Sequence, residues 1–140
     1  MRAVADRRRH ERGAAAVEFA LVLPLLLVLL LGAIDWGYFF FLQEVVVNAA
    51  REGARAGSVI GDATASDAAA QTRATGYLTS AGLGALGCTV DVPASGVTLT
   101  PEAVQVSVSC PAGSVTGFTG VPPLTYLLPA TTRAYVTMRR

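Results

Sequence analysis

From Phe19 to Ile34 the chain carries no polar side chain. Glu18 brackets this run on one side and Asp35 on the other. Ala14 to Val17 extend it upstream, and Trp36 to Leu42 resume it downstream. As a helix, Glu18 to Asp35 spans roughly 25 Å at about 1.5 Å per residue. A bilayer's hydrocarbon core is about 30 Å thick, so both carboxylates reach the polar interfaces. A segment apolar on every side has no face to turn to water, which argues against a helix of a soluble domain. A cleaved secretory signal has an apolar region of about 7–15 residues followed by a small-x-small site. Here the run is longer, and the best cut, after Ala33, puts Leu31 where a small residue is wanted. The expectation is a transmembrane helix over 14–42, kinked at Pro24, with Trp36, Tyr38 and Phe39–Phe41 in the outer interfacial belt.

Charge orients that helix. Up to Gly13 five arginines face two acids, a net +3, whereas six arginines face eight acids from Ala14 onward, a net −2. Arginines beside a first apolar segment stay cytoplasmic. The 1–13 segment is therefore expected inside, as a basic leader, and 43–140 outside. No aromatic residues interleave with these arginines, so nucleic acid is not an expected partner.

The stretch Gly13-Ala14-Ala15-Ala16-Val17-Glu18-Phe19 holds the sharpest chemistry. An acid inside a membrane helix costs roughly 2.5–3.5 kcal/mol at the centre and less near an end, so Glu18 calls for a partner. A cut between Gly13 and Ala14 would create one. The new α-amino group has an ordinary pKa of about 7.7–8.0 and is largely protonated at neutral pH. It lies one turn from Glu18, or meets the Glu18 of a neighbouring subunit, and such a pair offsets two charges and sets axial register. The alternative from spacing alone is that Glu18 simply reaches the headgroups.

A glycine followed by an apolar helix with glutamate at its fifth position resembles the processing site of type IV pilins, where a membrane aspartyl peptidase cleaves after the glycine. A second stretch narrows the resemblance. Arg12 to Ile34, then Asp35-Trp36-Gly37, then Ala50-Arg51-Glu52-Gly53-Ala54-Arg55, is similar to the TadE-like family of the tight-adherence (Tad, Flp) pilus system, as is the tail Pro129 to Arg139. The resemblance implies a pseudopilin or minor pilin in a bacterial inner membrane. It implies prepilin peptidase, other pilins and the inner-membrane assembly platform as partners. Gly13 and Ala14 would be the cleavage site, Glu18 and Phe19 the assembly end of the helix, and 50–55 a family motif.

Beyond the span an α+β head is expected, with the first helix continuing over 43–58. Ala49, Gly53 and Gly57 form a smooth stripe at i, i+4, i+8, fit for a neighbouring pilin or, preferably, for the protein's own sheet. Glu52 and Arg55 can pair on an exposed face. A second helix is expected over 62–80, capped by Asp62 or Ser66, and Gly82 to Gly87 reads as a flexible connection. Then the period becomes two. Cys88, Val90, Val92 and Val104, Val106, Val108, Cys110 alternate with polar residues, within a sheet of three or four antiparallel strands over 88–138. Val97–Thr100 is a short strand candidate, Pro111–Pro129 a long loop, and Thr131–Met138 a last strand. Each cysteine shares parity with its valines, so both sulfurs point to one side. Outside the cytoplasm a Cys88–Cys110 disulfide is the default.

Catalysis finds no support. His10, in the basic leader, is the sole histidine. No cysteine–histidine cluster has metal spacing, and no phosphate loop follows a strand. No cofactor and no small-molecule substrate are expected. The runner-up reading is an unprocessed single-pass membrane protein whose head binds an envelope or surface component.

Overall fold

A computed structural model describes residues 2–92, 103–113 and 128–139, with backbone alone for 2–14. The order is α1 (Arg2–Ser58), α2 (Ala63–Ser80), β1 (Thr89–Asp91), β2 (Ala103–Pro111) and β3 (Thr131–Arg139). This is the expected α+β arrangement. The 97–100 strand candidate and most of the 111–129 loop lie outside the described residues.

α1 is one helix of 57 residues, continuous past Pro24. At about 1.5 Å per residue it is roughly 86 Å long. It begins at Arg2, so the helical backbone also runs through the basic segment ahead of the expected 14–42 span. Arginine, alanine and glutamate, which make up most of 2–12, are strong helix formers, and the lone Gly13 is too weak a breaker to stop the helix.

The two ends of α1 differ completely in environment. From Ala15 to Ile34 its surface is uncovered apart from half-buried Leu31 and Gly32. From Leu42 onward one face enters a core: Leu42, Val45, Val46, Ala49, Ala50 and Ala54 are buried. The spacing of three and four keeps these side chains on one stripe.

α2 packs along that stripe. Ser66, Ala70, Ala74 and Leu78 are its buried residues, one per turn. Asp62 is the N-cap: its Oδ1 accepts from the Ala65 N–H at 2.8 Å and from the Thr64 hydroxyl at 2.7 Å. Ser66, the other cap candidate, has a different job. Its hydroxyl donates to the Gly57 carbonyl at 2.9 Å within the core, a second donor to an end group of α1 that also accepts from the Ile60 N–H at 3.1 Å.

The α2 terminus corrects the flexible connection expected over 82–87. Gly82 has φ +80 and donates to the Thr79 carbonyl at 3.0 Å, while the Leu83 N–H donates to the Leu78 carbonyl at 2.9 Å. These two bonds are a Schellman cap, which needs glycine at the left-handed position. Leu78 and Leu83 both join the core, so the turn is tied down by apolar contact.

The sheet is antiparallel in the order β1-β2-β3. Val108 faces Val90 on one side and Ala134 on the other, and Val106 pairs with Val136. Val104, Val106, Val108 and Cys110 point into the core, with alternate residues of β2 only half-buried. That is the period-two pattern of a sheet packed on one face. The fully buried side chains are small; Leu42, Val46 and the β2 valines are the largest apolar ones. A core of alanine and valine buries little area per residue, so cross-links matter more than usual. The expected disulfide is present: Cys88 lies just before β1, opposite Cys110, with the sulfurs 2.09 Å apart.

Candidate functional site

Three groups of residues carry the functional argument, and the structure keeps them apart. Gly13, Ala14, Glu18 and Phe19 lie near the free end of α1; Ala50 to Arg55 lie in the head; Cys88 and Cys110 clamp the sheet. Glu18 and Ala50 belong to one unbroken helix, so 32 residues put roughly 48 Å between them.

At the first group the backbone is helical through Gly13 and Ala14. Four residues from Ala14 to Glu18 make about one turn, so the two stand one above the other on the same side. Glu18 is exposed and Phe19 is 62% exposed, as are their apolar neighbours. Nothing in the described head covers this end. It is a surface of leucine, valine and phenylalanine with one carboxylate near its start.

In the second group small and charged residues divide by face. Ala50, Gly53 and Ala54 are buried, whereas Arg51 and Arg55 are exposed. A Cβ on Gly53 would stand 2.9 Å from the Ala70 carbonyl oxygen and 3.0 Å from the Ala74 Cβ. At Gly57 it would stand 3.0 Å from the Ser66 carbonyl oxygen and 3.1 Å from the Val104 side chain. The smooth stripe is therefore filled from within, by α2 as well as by the sheet, and is not open to a neighbouring subunit. Residues this small allow the close backbone approach. Glu52 pairs with Arg55 at 3.3 Å, as expected, and also faces Arg73 of α2 at 3.8 Å. Both arginines are about two-thirds exposed, so these contacts contribute little to stability.

Two residues, Asp35 and Phe39, are enclosed where an interfacial position is expected for them. Asp35, expected at the headgroups, is 1% exposed. It is enclosed within the protein and engaged there. Phe39, expected in the interfacial belt, is 9% exposed and also enclosed, while Trp36 and Phe40 remain open. The sequence signal was available in outline: Asp35, Phe39, Leu42 and Val46 follow the same spacing as the core stripe that continues from Val46 to Ala50.

Shallow grooves run along α2, one of about 740 Å³ lined by Ala68, Thr72, Gly76 and Tyr77 among others. No acids converge there. Among the described residues no three histidine, cysteine, aspartate or glutamate side chains gather as a metal site.

The stretch Ala15–Ser58 of α1 is long and apolar enough to cross a membrane, and the apolar window within it is wholly unburied by the rest of the chain. Neither a curated protein nor a solved structure matches the chain. A family model does: that of the TadE-like proteins matches residues 13–55, which takes in the glycine, the glutamate, the apolar run and the Ala50–Arg55 motif. Over that segment the chain is similar to the TadE-like proteins.

Proposed function

We propose that the chain is a minor pilin or pseudopilin of the Tad (Flp) pilus apparatus and acts in assembly, not catalysis. The TadE-like match over residues 13–55 ties it to that system. In this reading the basic segment up to Gly13 lies in the cytoplasm. A prepilin peptidase removes it, α1 anchors the protein in the inner membrane, and the disulfide-bonded head faces outward. The major pilin and the inner-membrane platform are its assembly partners.

The observation that carries the proposal is the exposed surface at the start of α1. Some 20 residues, 15–34, present an apolar cylinder uncovered except at half-buried Leu31 and Gly32, with Glu18 near its beginning. Inside a bilayer that cylinder is satisfied by lipid or by other helices. Its one carboxylate then needs a positive partner, which the released Ala14 amine supplies within one turn or on a neighbouring copy. Peptide-bond hydrolysis after Gly13 consumes one water and leaves a carboxylate on the leader and an ammonium on Ala14.

Amino-terminal sequencing of the protein from pilus-producing cells tests the first step; a mature start at Ala14 is expected. Glu18→Ala should stay membrane-bound and impair pilus assembly. A mature chain that keeps Met1 through Gly13 would transfer support to an unprocessed anchor whose head binds another envelope component. Normal piliation of the Glu18→Ala strain would remove the role given to that carboxylate.

A further inference from the structure

We propose that the face of α1 formed by Trp36, Phe40 and Phe41 docks into the headgroup layer of the outer leaflet, so that the head is seated on the bilayer surface. This deepens the membrane reading above and rests on it.

The two turns or so from Asp35 to Leu42 have two unlike faces. Asp35, Phe39 and Leu42, at i, i+4 and i+7, are 1%, 9% and 0% exposed. Trp36, Phe40 and Phe41 on the remaining arc are 40%, 60% and 49% exposed. The protein therefore covers one side of this turn and leaves three aromatic rings on the other. A head held away on a stalk would leave both sides bare.

The open face continues without a break from the uncovered cylinder below it. Residues 15–34 span roughly 30 Å as helix, the thickness of a hydrocarbon core. The next turn, which holds the aromatics, then falls at the depth of the headgroups. Its chemistry fits that layer. The indole ring of Trp36 packs at 5.6 Å from Phe40 and edge-on at 6.0 Å from Phe39. This ordered aromatic platform has one polar N–H, suited to a zone apolar on one side and wet on the other. Directly above it Gln43 and Glu44 are exposed, and Glu44 accepts from Asn48 at 2.8 Å. The water-facing surface begins there.

Lipid is a better occupant than a second copy of the helix. Helices that pack in bilayers meet through small residues. This face offers three large rings and only Gly37 between them. Enclosing Asp35 within the protein also keeps its carboxylate away from lipid at the level where the span ends.

Trp36 is the sole tryptophan, so its emission reports this face alone. The test uses full-length protein reconstituted in phosphatidylcholine vesicles. Flotation with the vesicles is read first, and failure to float overturns the membrane reading itself. For protein that floats, Trp36 emission should lie to the blue of a water-exposed indole. Lipids brominated near the glycerol should quench it more than lipids brominated near the chain end. Phe40→Ser with Phe41→Ser should shift emission to the red and weaken the shallow quenching, with helix content and disulfide intact. Three results overturn the docking while sparing the span: acrylamide quenching as strong as for free indole, strongest quenching by chain-end bromine, or a blue shift that appears only as the protein-to-lipid ratio rises. The last would assign the face to a neighbouring copy.

Discussion

Substituting alanine for Gly53 isolates the closest approach in the head. The added methyl would meet the Ala70 carbonyl oxygen at 2.9 Å, the Ala74 Cβ at 3.0 Å and a Val106 methyl at 3.4 Å. The nearest atom is helix backbone and cannot rotate aside. Overpacking of this kind costs about 1–3 kcal/mol. Against it stands the intrinsic gain of alanine over glycine in a helix, about 1 kcal/mol. Gly76 supplies the control. It lies within α2, and a Cβ there meets nothing within 4 Å. Gly76→Ala keeps the same intrinsic gain and lacks the clash, so the difference between the two variants is the steric cost alone. In a head of roughly 100 residues, each kcal/mol moves Tm by about 4–8 °C. Gly53→Ala should therefore melt at least about 4 °C below Gly76→Ala. The assay is pulse proteolysis of the full-length protein in detergent micelles over a temperature series, because the micelle shields the membrane helix and cleavage reports the head. Equal melting of the two variants would refute the close packing of α2 on Gly53. Equal melting combined with lost piliation would instead give the glycine to a contact between subunits.

The remaining predictions concern the elements that hold the small core together. Replacing both Cys88 and Cys110 with alanine opens a link between residues 22 apart, and chain-entropy arguments put the loss at about 3 kcal/mol; denaturant midpoints of the oxidised and variant proteins measure it, and coincident midpoints would show the bridge to be dispensable. Asp62→Ala removes the acceptor for the Ala65 N–H and should cost about 1 kcal/mol, with Asp62→Asn retaining most of it; thermal unfolding checks the pair. Ser66→Ala removes one of two donors to the Gly57 carbonyl, which keeps the Ile60 N–H at 3.1 Å, and should destabilise by about 0.5–1.5 kcal/mol by the same measurement. Glu52→Gln, by contrast, should change stability by less than about 0.5 kcal/mol, because both of its arginine partners are largely solvated.

Much of this molecule is written in local patterns. The apolar run between Glu18 and Asp35 leaves a helix as the only open-backbone solution in lipid, since every peptide group must be satisfied within the segment. The alternation on β2 named its buried face. The shared parity of each cysteine with its valines carried the disulfide, because side chains on the same pleat face point the same way. The Schellman turn was legible too, in a glycine followed by leucine after the last helical turn, although a glycine-rich stretch reads first as flexible.

What local pattern cannot carry is which surface covers which. The stripe of Ala49, Gly53 and Gly57 announced a close approach, yet whether α2, the sheet or another subunit fills it depends on contacts between residues distant in sequence. Asp35 makes the same point more sharply. By position it is an interfacial carboxylate, and by tertiary enclosure it is an interior one, because burial is a property of the folded surroundings and not of the residue. The sequence alone determined a membrane-length helix with an acid near its start and a disulfide-linked head. Only the tertiary structure decided how far down the helix that head reaches, since this depends on the summed packing of small side chains from four separate elements.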